Sequence, residues 1–225
     1  MKYISLIIFL FIFNFSNAQW LKEKGKGYYK LGTWSLLANE PRQEFNSLGD
    51  INIASEFKIT PLGNWSFSGT LLLGIPSGKS VAGVDGSYQT GDGEFNQQLQ
   101  FNFGRSYRIA KQDFYLKTYV GYNNRSGGFS DELHSFAETG TQLWNKNLLI
   151  LSRLHWIKPM YNGTLDASNS NGAIFAKNIE SFALGGEVAL NLGKHWGISV
   201  ATATPLFGKV IYRGNSYSGG LFLNY

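Results

Sequence analysis

The chain has 225 residues, 16% of them aromatic and only 16% charged, with 27 glycines, no cysteine and a formal net charge of +5. That length suits one barrel or one to two soluble domains, and the missing cysteine excludes disulfides, an acyl-cysteine anchor and thiolate metal sites. Beyond the first residues no apolar run reaches the ~18 needed for a membrane helix, and the basic residues are scattered, so neither a helical membrane protein nor a nucleic-acid partner is expected.

Met1-Lys2 followed by the apolar run Ile4 to Phe15 and by Ser16-Asn17-Ala18 reads as a secretory signal peptide over 1–18. It is set aside from the fold. Residues 19–27 are a short basic, periplasmic lead-in, and 28–225 form the body of the protein. The first strand falls near 28–37, with a parity that the sequence leaves open. A polar loop at 38–49 leads to a strand over 51–59, where Ile51, Ile53, Phe57 and Ile59 alternate with Asn52, Ala54, Glu56 and Lys58. Pro61-Leu62-Gly63-Asn64 makes a tight turn into a strand over 65–75. After a Gly/Ser-rich loop at 76–92 comes the clearest hairpin. Phe95, Leu99, Phe101 and Phe103 share one parity, and Glu94, Asn96, Gln98, Gln100 and Asn102 share the other. The pattern resumes after a turn at 110–113, running to Asn124. Alternation of this kind gives a strand with one greasy and one polar face.

Further strands are read at 132–143, 148–158, 175–191, 196–204 and 216–225. The connections at 60–64, 110–113, 144–147 and 192–195 are tight. Those at 38–49, 76–92, 159–172 and 205–215 are long, and 125–130 is middling. Short turns at one end and long loops at the other mark an outer-membrane barrel, and aromatics such as Trp65, Trp144, Trp156 and Trp196 fall at strand ends, where rings sit at headgroup level. The reading is therefore all-β: an antiparallel transmembrane β-barrel of about ten strands, lodged in the lipid of the outer membrane. A soluble sandwich would have to bury the polar parity unpaired.

Three passages carry a resemblance: Ile75-Pro76-Ser77-Gly78-Lys79, Thr90-Gly91-Asp92-Gly93-Glu94-Phe95, and Gly121-Tyr122-Asn123-Asn124-Arg125 with Ser126-Gly127-Gly128 and Asp131-Glu132. Together they resemble the small outer-membrane barrels named for a MetA-pathway of phenol degradation, including those called XagA-like. The ending Asn17-Ala18-Gln19 of the leader and the terminal Tyr225 resemble outer-membrane proteins of Bacteroidota. The resemblance implies an envelope location, barrel-insertion machinery that reads the strand ending in Tyr225, and uptake of aromatic compounds. No catalytic residue comes with it.

By parity the lumen is lined by Glu56, Lys58, Glu94, Lys117 and Glu132, together with His134, Glu138, Arg153, His155 and Glu187. Charges facing a narrow lumen need pairing or hydration, and Glu138 and Arg153 on adjacent strands suit each other. The same residues could form a selectivity constriction, and ten strands leave room only for small solutes or ions. Two functions follow: a narrow channel or uptake protein for small, aromatic or hydrophobic molecules, or a closed structural or loop-binding barrel. An outer-membrane hydrolase would need a nucleophile beside His134, His155 or His195. Ser135 points away from its neighbour His134, and the acid pairs of omptin-like proteases are not visible, so no enzyme is expected. The carboxylates at 85, 92 and 94 match no complete calcium loop and read as turn formers, and Val81 to Gln89 reads as a candidate lid. No cofactor or metal is expected.

Overall fold

The computed structural model describes residues 8–10, 28–36, 49–59, 65–81, 90–165, 177–211 and 214–224. Its strands are β1 (Ile8–Leu10), β2 (Tyr28–Leu36), β3 (Ile51–Lys58), β4 (Ser66–Ile75), β5 (Asn96–Ile109), β6 (Gln112–Arg125), β7 (Glu132–Leu143), β8 (Leu148–Pro159), β9 (Glu180–Asn191), β10 (Trp196–Lys209) and β11 (Ser216–Asn224). They form one sheet in the order β1-β2-β11-β10-β9-β8-β7-β6-β5-β4-β3, and every pairing is antiparallel. The ten expected strands are β2 to β11. Ile8–Leu10, within the stretch read as a signal peptide, adds a short strand alongside β2, and β3 ends the opposite edge. Among the described residues β2 and β3, which a closed ten-stranded wall would join, are not paired.

Burial is inverted relative to a soluble sheet. On the β5–β6 hairpin Leu99, Phe101 and Val120 are 48%, 49% and 52% exposed, while Gln98, Asn102 and Asn123 are 6%, 5% and 7% exposed. The same inversion runs through β9 and β10, where Leu184, Val188 and Val200 face out and Glu187 and Ser199 are buried. An apolar outer face and a polar inner face, on antiparallel strands of up to 14 residues, define the wall of a transmembrane β-barrel. No helix among the described residues is long and apolar enough to cross a membrane.

The strand ends depart from expectation in three places. The β5–β6 turn is tighter than 110–113: Gln112 and Asp113 already belong to β6, and Ala110 and Lys111 both take positive φ (47° and 72°), the conformation that suits a two-residue hairpin. β9 begins at Glu180 rather than 175. β10 continues past Pro205 to Lys209, because a register shift between Pro205 and Phe207 absorbs the proline, which has no N–H to give the ladder.

Two inward glycines accept rings from the strand opposite. Gly140 pairs with Tyr115, and a Cβ at Gly140 would lie 2.7 Å from the Tyr115 ring and 2.5 Å from Leu151. Gly197 pairs with Phe222, whose ring occupies the space a Cβ would need. Tyr115 is thereby 1% exposed, the most buried hydrophobic side chain described.

Candidate functional site

The inner face of β6, β7 and β8 is laid out in tiers by the strand register. Nearest the tight turns, Tyr115 and Gly140 are partners, and Leu151 follows, opposite Glu187 of β9. One tier higher, Lys117, Glu138 and Arg153 stand in a row. Arg153 Nε donates to Glu138 Oε2 at 2.5 Å and Nη1 to Glu187 Oε2 at 2.6 Å, while the Tyr115 hydroxyl donates to Glu138 Oε1 at 2.7 Å. The expected pair of Glu138 and Arg153 is thus present, extended by Glu187. Both carboxylates are under a tenth exposed, but the Arg153 side chain is 30% exposed. A guanidinium shared by two carboxylates satisfies all three in a polar wall.

The third tier is aromatic: Tyr119, Phe136 and His155 are direct neighbours across the strands. The Tyr119 and Phe136 rings stack at 5.0 Å, and the His155 ring lies edge-on to Phe136 at 5.9 Å and 5.4 Å from the His134 ring. The Tyr119 hydroxyl is 3.4 Å from His155 Nε2. His134, one tier above, has its Nε2 2.9 Å from Glu132 Oε2. A carboxylate therefore orients one histidine, but Ser135 faces outward beside it by parity. Ser130, fully buried, donates its hydroxyl to Asn178 Oδ1 at 2.6 Å. Among the described residues no group of histidines and carboxylates is arranged to hold a metal ion.

At the long-loop end the wall is closed by a knot around Arg125, whose side chain is 5% exposed. Its guanidinium reaches Glu132 Oε1 at 2.6 Å, Asp92 Oδ2 at 3.3 Å and Glu94 Oε1, and it lies 4.5 Å over the Phe129 ring. Three carboxylates on one cation leave the knot short of positive charge, and Glu94 Oε2 is buried with no hydrogen-bond partner. Burial pushes the Glu94 carboxyl up to about 8, with Arg125 pulling against the rise and Asp92 adding to it. Asp50, which accepts from the backbone N–H groups of Gly78 and Asp92, is also raised, chiefly by burial. Asp92 caps its own turn by accepting from the Glu94 N–H at 3.1 Å, the turn-forming role expected of it.

Asp131 fastens the next loop. It accepts from the Arg125 N–H, the Tyr122 hydroxyl and the amides of Asn124 and Asn162. Gly163 N–H donates to Ser130 Oγ, and Thr164 and Leu165 donate to Gly128 O.

Of the remaining lumen candidates, Glu56 faces inward and accepts from Ser68, and Lys117 is half-buried in the Glu138 row. The side chain of Lys58 lies outside the described residues, as do most of the candidate lid, 82–89, the loop stretch 166–176, the lead-in 19–27 and Tyr225. Arg125 and Asp131 were not among the lumen candidates, and Asp92 was read only as a turn former. Parity could have found the first, since Arg125 continues the inward series Tyr115, Lys117, Tyr119, Gly121, Asn123. The two aspartates lie in loops, where no period points to them.

This chain is an outer-membrane-type β-barrel by its fold. No family model and no curated protein matches it. Among solved structures it is similar to a loop L8 deletion mutant of OmpT, an outer membrane protein of Vibrio cholerae, at 9% identity and a TM-score of 0.41 over 89% of this chain. The chain spans 62% of the length of that structure.

Proposed function

We propose that the protein sits in the outer membrane and is a narrow passage for small solutes, aromatic ones included. The observation that carries the reading is Arg153. It is held half-way along the wall by Glu138 and Glu187, yet keeps 30% of its side chain exposed toward the interior. A fixed, hydrated charge on a polar inner face is what a selectivity constriction requires. The partly buried rings of Tyr119, Phe136 and His155 directly above it offer an aromatic edge against which an aromatic solute can rest. Ser135, next to His134 in the chain, faces the other side of the wall by parity, and the reading is not enzymatic.

A second reading, a sealed barrel that works through its loops, is favoured by the completeness of the pairing among Tyr115, Glu138, Arg153 and Glu187. Single-channel recording of refolded protein in a planar bilayer separates the two. A passage gives discrete current steps whose cation preference rises in Arg153→Gln, because two carboxylates then face the path alone. A silent bilayer containing folded, inserted protein overturns the passage and leaves the sealed barrel.

A further inference from the structure

The charges of this chain are partitioned along the barrel axis. The tight-turn segments 105–113, 144–147 and 192–195 carry Arg105, Arg108, Lys111, Lys146 and Lys194 against a single acid, Asp113. The described residues at the other end (49–50, 76–81, 90–95, 125–132, 158–165, 177–180, 205–211 and 214–216) carry six acidic and five basic residues. Asp113 is taken by Arg108 at 2.5 Å. Lys111, Lys146 and Lys194 stand exposed at the tips of three successive turns, on β5–β6, β7–β8 and β9–β10. Exposed rings accompany them: Trp144 is 70% and Trp196 58% exposed, and the Arg105 guanidinium lies 5.7 Å over the Trp65 ring.

We propose that this end of the wall is a headgroup-binding collar for anionic phospholipids of the leaflet on the tight-turn side. Indole rings settle at the boundary between acyl chains and headgroups, which places the neighbouring turn tips at phosphate level. Three separate lysines at that level meet a surface of phosphodiesters, not one compact anion, because each sits on a different hairpin. A lysine near an anionic bilayer surface contributes attraction that screening removes within a Debye length. The collar is independent of the conduction reading: it holds for an open or a sealed lumen.

The test uses the full chain refolded into vesicles, with tryptophan quenching by brominated phosphatidylglycerol measured against brominated phosphatidylcholine. The expected result is a preference for phosphatidylglycerol that falls about fivefold in the triple variant Lys111→Gln, Lys146→Gln, Lys194→Gln, and that 0.5 M NaCl also suppresses. The variant with arginine at the same three positions keeps the preference, which separates charge from misfolding. Lys158→Gln with Lys209→Gln, at the other end, leaves it unchanged. A triple glutamine variant that folds and retains the preference overturns the collar. So does a preference abolished by millimolar inorganic phosphate at matched ionic strength, which would assign the lysines to the free anion.

Discussion

At the rim, Arg125 is enclosed by three carboxylates with 5% of its side chain exposed; at mid-wall, Arg153 is shared by two with 30% exposed. The chemistry is the same, a guanidinium bridging carboxylates between neighbouring strands, but the surroundings differ. Around Arg125, the last residue of β6, the partners come from the loop before β5, from the loop after β6 and from the start of β7, so the pairings tie chain segments together. Around Arg153 all partners project from strands already held by backbone ladders, so the pairings shape the interior without being needed to hold it. Enclosure makes a charge structural, and partial exposure leaves it open to the interior.

The largest effect expected follows from the enclosed site. Arg125→Met leaves Asp92, Glu94 and Glu132 buried without their cation and lowers the unfolding free energy by about 3–5 kcal/mol. Urea titration of folding in vesicles, read by the heat-modifiable gel shift, checks it. Arg153→Gln is expected to cost less, about 1–2 kcal/mol, because the space Arg153 vacates opens to the interior and the Tyr115 hydroxyl still holds Glu138. Equal losses at the two sites would erase the distinction drawn here.

At the enclosed rim, Glu94 makes stability depend on pH. Its folded pKa, about 8, lies above the ordinary glutamate value of 4.5, so between those values the folded state binds the proton and the unfolded state does not. Stability must then fall as pH rises from about 4.5 to about 8 and level off above. In Glu94→Gln that slope should be missing, and titrations of both proteins at pH 5, 7 and 9 reveal it as a difference. Parallel profiles would show that Glu94 is ionised beside Arg125 throughout.

A smaller effect belongs to Ser130→Ala, which removes the hydroxyl that meets Asn178 and the Gly163 N–H. About 1 kcal/mol is expected, with faster proteolytic nicking of the 160–165 loop as the readout specific to a fastened loop. Arg108→Gln, at an ion pair fully open to water, should produce no measurable change in the same titration.

The comparison also shows what a sequence can disclose. Arg153 and Glu138 were legible as a pair because both obey the two-residue period and lie on consecutive strands joined by a tight turn, so register follows from the turn. The inverted burial was legible for the same reason: Leu99 and Gln98 differ by one step of the chain. Arg125 was hidden because it is the last residue of a strand and reads equally as the first of a loop. Asp92 acts through the Glu94 N–H of its own turn and the Arg125 guanidinium, and Asp131 through the Arg125 N–H and the amides of Asn124 and Asn162, and no periodicity reports contacts of that kind. Pro205 misled in the other direction, since a bulge carries the strand through a residue that ordinarily ends one.

The ring-on-glycine contacts bear on how the wall is put together. A slip of one residue between neighbouring strands turns greasy side chains inward and is rejected by the membrane itself. A slip of two residues preserves both faces, so alternation offers no defence against it. The glycine sockets supply one. Moved by two, Tyr115 would confront Glu138 or Gln142 in place of Gly140, and Phe222 would confront Ser199 in place of Gly197. Each socket fits its ring at the native offset, so a two-residue slip gives up the ring's seat and crowds it against a side chain.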